Sequence, residues 1–300
     1  MTGYENCHLC PRNCGIDRTR NPGPCGGGSL PRLARAALHF WEEPCISGEG
    51  KDVPGSGTVF FSGCTLRCCF CQNFEISEEN RGREVSEERL CEIFLQLQQQ
   101  GAANLNLVTG THYLPSILRA LDIAGDRLQI PVAWNCGGYE TIESVEALAG
   151  RVQIFMPDLK YYDSALSGRL SRAPDYFDRA SRAIYRMIEL AGPPVFDARG
   201  LLTSGVILRH LVLPGHRDDS LRLLDWIASN LPRDEFLLSL MSQYTPYRPL
   251  PYRELNRKLS SFEYNAVIDR ALTLGLTHTY TQQRTAAKEE YTPPFDLTGI

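Results

Sequence analysis

The sequence predicts an α/β protein: a partial (β/α)6 TIM-like barrel preceded by a Cys-rich N-terminal segment. Three observations carry this reading. Strand-like and helix-like patterns alternate through six units between residues 58 and 274. Parallel strands joined by helical crossovers lie side by side in one sheet, and the crossovers are right-handed. The 300 residues, 43% of them hydrophobic, supply one large core, and α/β barrels use this length as a single unit.

The first strand is the apolar run Thr58-Val59-Phe60-Phe61. Ser86 caps the helix that follows, Glu87 and Glu88 suit its first turn, and Leu90, Ile93, Phe94 and Leu97 share one face until Gly101 ends it. Leu105 to Val108 is the second strand. Pro115 opens a helix over Ile117, Leu118 and Leu121 that stops at Gly125. The third strand is Pro131 to Asn135, and its helix starts at Thr141. The fourth strand, Val152 to Met156, leads to a helix from Tyr176 to Leu190, closed by Gly192-Pro193-Pro194. The fifth, Val206 to Val212, precedes a helix around Leu221 to Ala228. The sixth, Phe236 to Leu240, precedes one from Phe262 to Leu274, and Thr277 to Tyr280 adds a short strand. Three regions follow: a Cys-rich segment over 1–50, the barrel over 51–285, and a loose tail over 286–300.

Net charge is −4 and pI about 5.9, so nothing favours nucleic acid as a partner. No run is apolar enough to span a membrane. The first six residues lack the basic and apolar regions of a signal peptide. The expected compartment is the cytoplasm, where 11 cysteines stay reduced and favour metal ligation over disulfides.

The chemistry concentrates at Gly63 to Asn73. Cys64, Cys68 and Cys71 sit in a tight loop at the carboxyl end of the first strand. Thiolates select iron–sulfur clusters, zinc or copper(I). Cubane clusters commonly take four cysteines, so three point to a cubane with one iron open; a zinc knuckle short of one ligand is the other reading. Active sites of barrels lie at the carboxyl ends of strands. There the sequence places Thr109 and Thr111, Asn135, Asp158 and Lys160, Arg209, and Gln243, with His112 and His210 nearby. A second group, Cys7, Cys10, Cys14 and Cys25, lies among Pro and Gly residues. Four thiols close a site, which suits structural zinc or a second, fully ligated cluster, and a metal would supply the order that this apolar-poor segment lacks; four cysteines that hold no metal are the remaining reading. Cys45 reads as a buried structural cysteine, and Cys69 as a non-ligand.

Cys64-x3-Cys68-x2-Cys71, with Phe70 before the last cysteine, resembles the signature of the radical S-adenosylmethionine superfamily. The runs Glu43 to Gly48, Gly57 to Asn73, Leu107 to Tyr113, Pro157 to Tyr161, Arg209 to Gly215 and Met241 to Tyr244 are similar to proteins related to the pyruvate formate-lyase activating enzyme, and so is Cys7 to Gly15. The resemblance implies a [4Fe–4S] cluster on Cys64, Cys68 and Cys71, with its open iron chelated by S-adenosylmethionine. Reductive cleavage then gives methionine and a 5′-deoxyadenosyl radical that abstracts hydrogen. It also implies that backbone near Phe70 meets the adenine and that Asn135 reaches the ribose. Asp158 and Lys160 match an Asp-x-Lys motif, Lys160 and Arg209 neutralise carboxylate charge, and Gln243 contributes from the sixth strand. Relatives often carry Gly-Gly-Glu where this chain has Thr109 and Thr111. The implied partners are an electron donor of the flavodoxin or ferredoxin type and a glycyl-radical enzyme that the chain would activate. The alternatives are direct hydrogen abstraction from a small molecule or peptide and, from another class, a non-catalytic iron–sulfur or zinc protein.

Overall fold

The computed structural model describes residues 3–50, 52–282 and 292–300. Its strands are β1 (Arg32–His39), β2 (Ser56–Phe61), β3 (Arg83–Glu84), β4 (Leu105–Val108), β5 (Val132–Cys136), β6 (Ile154–Pro157), β7 (Val195–Phe196), β8 (Leu202–Leu211), β9 (Leu237–Met241) and β10 (Thr279–Thr281). The helices are α1 (Pro44–Ser47), α2 (Phe74–Ser77), α3 (Glu87–Gln99), α4 (Leu114–Ala124), α5 (Ile142–Glu146), α6 (Ser164–Ser171), α7 (Tyr176–Ala191), α8 (Arg217–Asn230) and α9 (Ser261–Thr273). The strands form one sheet in the order β10-β9-β8-β6-β5-β4-β2-β1-β3, with β7 beside β8. From β2 through β10 the pairing along this order is parallel, as a partial barrel requires. The helix starts follow local chemistry: Ser86 and Thr141 accept from backbone N–H groups, and Ser260 with Glu263 forms a capping box.

Three strands were not foreseen, the eight-residue β1 and the two-residue β3 and β7. β1 runs antiparallel to β2, with its register broken between Leu33 and Arg35. That bulge disrupts the alternation of side chains, and the Ala-rich sequence of β1 lacks the β-branched and aromatic residues that mark strands.

Alternation along the parallel strands builds the site. Leu107, Trp134, Phe155, Val206 and Leu208 face the helices in the main core. The opposite face carries Ala133, Ile154, Met156, Ile207 and Leu237, packed on Cys45 and Ile46 of α1. This short helix plugs the amino-terminal end of the barrel, and Cys45 is buried there at 3% exposure. Two residues further along the same inward faces come Asn135, Asp158 and Arg209. The barrel lining thus turns from apolar to charged toward the carboxyl ends.

The tail differs from the loose segment expected. Residues 286–291 of it lie outside the described residues. Residues 292–300 dock on β1: Leu297 N–H donates to Ala34 O at 3.1 Å and Ala36 N–H to Thr298 O at 2.9 Å. Phe295 is buried against Phe60, ring centroids 5.5 Å apart. Gly299 adopts φ +79°, and a Cβ there would lie 1.9 Å from Ala36 O, so only glycine fits. Among the described residues, no helix is long and apolar enough to cross a membrane.

Candidate active site

The loop after β2 is held mainly through its backbone. Gly63 turns at φ +86°, Cys64 N–H donates to Cys25 O at 2.9 Å, and Cys71 N–H to Cys68 O at 3.1 Å. Arg12 braces it from outside, donating to Thr65 O at 2.7 Å, Leu66 O at 3.3 Å and Ser171 O at 2.8 Å. Two donors point at sulfur: Ser171 Oγ lies 3.0 Å from Cys68 Sγ, and Leu66 N–H 3.4 Å from Cys64 Sγ. Burial pushes the Cys64 thiol up to about 12, and it raises Cys71 too. A metal centre among these thiols would reverse that cost by stabilising the thiolates. Among the described residues, no three His, Cys, Asp or Glu side chains are grouped as ligands of one ion. A multi-iron cluster takes its ligands from different irons and so needs no common point among the sulfurs. The three soft donors with N–H and O–H groups aimed at sulfur fit that group.

A cavity of ≈200 Å³ opens above this loop. Cys64, Cys68, Phe70, Cys71, Thr109, Thr111, Asn135, Asp158, Lys160, Arg209 and Gln243 all line it. Cys69 does not, and its N–H is bound to Leu170 O. The four N-terminal cysteines lie elsewhere. His112 Nε2 stands 2.8 Å from Ser62 O, and His210 is fixed between Leu159 O and Ser220 Oγ. Burial pulls His112 down to about 3 and lowers His210, so both stay neutral and structural at neutral pH.

At the cavity floor, Asp158 joins two cations. Lys160 Nζ is 2.5 Å from Asp158 Oδ2, and Arg209 Nη2 is 2.9 Å from Oδ1. Burial alone would raise the Asp158 carboxyl, but the Arg209 and Lys160 charges outweigh it and hold the group low. Burial likewise acts against the Lys160 charge, and Asp158 more than restores it. Arg209 also donates to Asn135 Oδ1 at 2.5 Å. The Tyr176 hydroxyl accepts from Lys160 N–H at 3.0 Å and lies within 2.9 Å of the Gly137 and Asp158 carbonyls, fixing two strand ends together. Thr109 holds φ +60°, a strained conformation for a β-branched residue. Thr111 Oγ1 donates to buried Glu140 at 2.6 Å. Phe70 packs between Tyr161 and Tyr244. Gln243 accepts from Gln282 Nε2 at 2.8 Å. Asn73 Oδ1 and Thr245 Oγ1 belong to lining residues and are buried without a partner among the described residues.

Sequence reasoning missed Glu42 and Glu43, which precede the plug helix rather than follow a strand. Glu42 accepts from Asn106 Nδ2 at 3.0 Å and stands 3.7 Å from Arg209 Nη1. Burial raises both carboxyls, and Arg209 opposes it. The available signal was a pair of carboxylates directly before a buried Pro-Cys-Ile turn. Both also line a second cavity of ≈830 Å³ with Glu49, Asp52 and Tyr280; it shares Trp41, Glu42, Arg209, Met241 and Gln243 with the first.

Comparison with known proteins gives four findings. The family model for the Radical SAM superfamily matches residues 58–227. The uncharacterized protein MJ0674 of Methanocaldococcus jannaschii is 30% identical over 282 residues, covering 90% of this chain and 74% of that protein. SuiB of Streptococcus suis, solved bound to S-adenosylmethionine, superposes with a TM-score of 0.51 at 17% identity over 75% of this chain. The chain spans half of SuiB's length, and at that identity the likeness is one of fold. A domain of a pyruvate-formate lyase-activating enzyme from Bacteroides vulgatus gives a TM-score of only 0.39, which supports no inference about activity.

Proposed function

This chain belongs to the radical SAM superfamily, and from that premise we propose that it reductively cleaves S-adenosylmethionine in the cavity above the Cys64 loop. The superfamily's cofactors, a [4Fe–4S] cluster and S-adenosylmethionine, supply when bound a 5′-deoxyadenosyl radical that takes a hydrogen atom from substrate. Cys64, Cys68 and Cys71 would hold the cluster. Lys160 and Arg209 face the cavity as fixed cations for a carboxylate, made rigid by Asp158. Asn135 keeps its amide nitrogen for a sugar hydroxyl, because its oxygen is taken by Arg209. Phe70, Tyr161 and Tyr244 form an aromatic wall that keeps water from the loop. The observation that carries the reading is the convergence of three cysteines and the Asp158–Lys160–Arg209 array on one cavity. Anaerobic, iron-loaded protein given S-adenosylmethionine and dithionite, or a reduced flavodoxin or ferredoxin, should form 5′-deoxyadenosine and methionine in equal amounts. No product from protein with a full complement of iron and sulfide would overturn it.

For the hydrogen donor, the adjoining ≈830 Å³ cavity favours a small molecule or peptide bound beside the first cavity. A second reading, activation of a glycyl-radical enzyme, is favoured by Phe40 and Trp41 at the cavity edge, 47% and 49% exposed, where a partner's loop could seat. Deuterated cell extract separates the two readings. Deuterium entering 5′-deoxyadenosine from the dialysable fraction supports direct abstraction, and deuterium from the macromolecular fraction supports activation.

A further inference from the structure

The N-terminal segment wraps its cysteines around a buried arginine. Cys7 N–H donates to Ile16 O at 3.2 Å and Gly15 N–H to Cys7 O at 3.0 Å, closing a knuckle that contains Cys10 and Cys14. Asn13 and Gly15 take positive φ to make the turn. A second turn, with Gly26 N–H donating to Gly23 O at 2.8 Å, carries Cys25. Cys7, Cys10 and Cys25 are 5–7% exposed and Cys14 partly exposed. Cys14 Sγ lies 3.8 Å from Cys7 O, and Cys25 Sγ and the Arg18 side chain both pack against Gly23.

Arg18 sits against them at 2% exposure. Its guanidinium donates to Gly27 O at 2.9 Å and Gly28 O at 2.6 Å, and also to His112 O. It reaches Cys7 Sγ at 3.7 Å and stacks on Tyr4 and Tyr113. Among the described residues, no carboxylate pairs with it; the nearby groups able to carry negative charge are Cys7, Cys25 and Tyr4. A buried cation without a counter-charge is strongly unfavourable. Neutral thiols do not supply that charge, whereas thiolates do.

We infer that Cys7, Cys10, Cys14 and Cys25 hold a second, closed metal centre as four thiolates, with Arg18 as its counter-charge. Binding releases four protons. Four thiolates around Zn²⁺, or around a [4Fe–4S]²⁺ core, leave a net charge of −2, so one buried guanidinium halves it either way. The sulfurs do not yet meet at one point, and metal would draw them in. The centre also braces the catalytic loop. Cys25 O accepts from Cys64 N–H at 2.9 Å, Pro24 O from Arg67 at 3.2 Å, and Gly26 O from Asn80 Nδ2 at 2.9 Å. A Cβ on Gly63 would lie 2.6 Å from Cys25 O, so the two backbones are in direct contact.

Zinc, iron and sulfide are counted on anaerobically purified full-length protein, in wild type, Cys71→Ser, Cys10→Ser and Cys14→Ser. Cys71→Ser should retain one zinc, or four irons with four sulfides, per chain, and Cys10→Ser or Cys14→Ser should lose that complement. Zinc identifies a single ion; iron with sulfide identifies a cluster. If all metal of the wild type disappears in Cys71→Ser while the protein stays folded, the second centre does not exist. These counts do not depend on S-adenosylmethionine cleavage. Amide hydrogen exchange over residues 62–72 should rise at least several-fold in Cys14→Ser, and unchanged exchange would overturn the bracing role.

Discussion

Glu140→Gln should remove a specific pH dependence from the stability of this fold. Glu140 is 3% exposed and accepts the Thr111 hydroxyl behind the cavity wall. Burial raises its pKa from the ordinary 4.5 to about 7, against hydrogen bonds from Thr111 and Cys136. Between those values the folded state keeps a proton that the unfolded chain has lost. Stability from this group is therefore fully present below pH 4.5, declines as pH rises toward 7, and is level above it. At about 1.4 kcal/mol per pH unit, the span bounds the effect at roughly 3 kcal/mol. Glutamine keeps an acceptor for Thr111 and cannot titrate. Thermal unfolding midpoints of wild type and variant should agree near pH 4.5–5. By pH 8 the variant should melt about 5 °C higher. Comparing the two proteins at each pH cancels every other titrating group. Parallel profiles across the range would refute the claim that this carboxyl is buried and protonated.

Arg209→Met leaves Asp158, Glu42 and Glu43 without their shared cation, a loss of about 3–5 kcal/mol. The drop in melting midpoint should be smaller at pH 5 than at pH 8, because raised carboxyls can then protonate; an equal drop at both would count against the network. Ser171→Ala removes the hydroxyl that lies 3.0 Å from Cys68 Sγ. It should lower the cluster's reduction potential by on the order of tens of millivolts in a spectroscopic redox titration, since a donor to sulfur favours the more negative, reduced state; an unmoved potential would argue against that hydrogen bond. Phe295→Ala should cost about 3 kcal/mol of stability by emptying its pocket beside Phe60, and a silent substitution would mean that the chain's end is not docked.

The parallel half of the fold was legible because its signals are local. Ser86, Pro115, Thr141 and Gly192 mark helix ends, and short apolar runs mark strands between them. β1 was hidden by its bulge and its alanines, and the docked tail by its shortness, with Phe295 as its one large apolar anchor. Position in or after the predicted strands singled out Thr109, Asn135, Asp158, Lys160 and Arg209, and these side chains line one cavity. Glu42, Glu43, Glu140 and Tyr176 were not legible, because each reaches the cavity or its wall through tertiary contact rather than from the tip of a strand. Arg12 and Arg18 look like surface charges in a loop, and only their carbonyl partners show otherwise.

The plug helix and the charged floor are two consequences of one short segment. α1 fills the amino-terminal end of the barrel with Cys45 and Ile46, so the first inward positions of β5, β6, β8 and β9 must be apolar. The two residues before it, Glu42 and Glu43, are thereby set beneath Arg209. If all were ionised, the floor would hold three carboxylates, Asp158, Glu42 and Glu43, against two cations, Lys160 and Arg209. Burial raises Glu42 and Glu43 and Arg209 opposes it, so burial works against the excess negative charge of this floor. A ligand of net positive charge reverses that balance. S-adenosylmethionine, with a sulfonium, an ammonium and one carboxylate, is such a ligand. On the reading proposed above, its carboxylate would meet Lys160 and Arg209, and its remaining positive charge would be offset by the carboxylates of this floor.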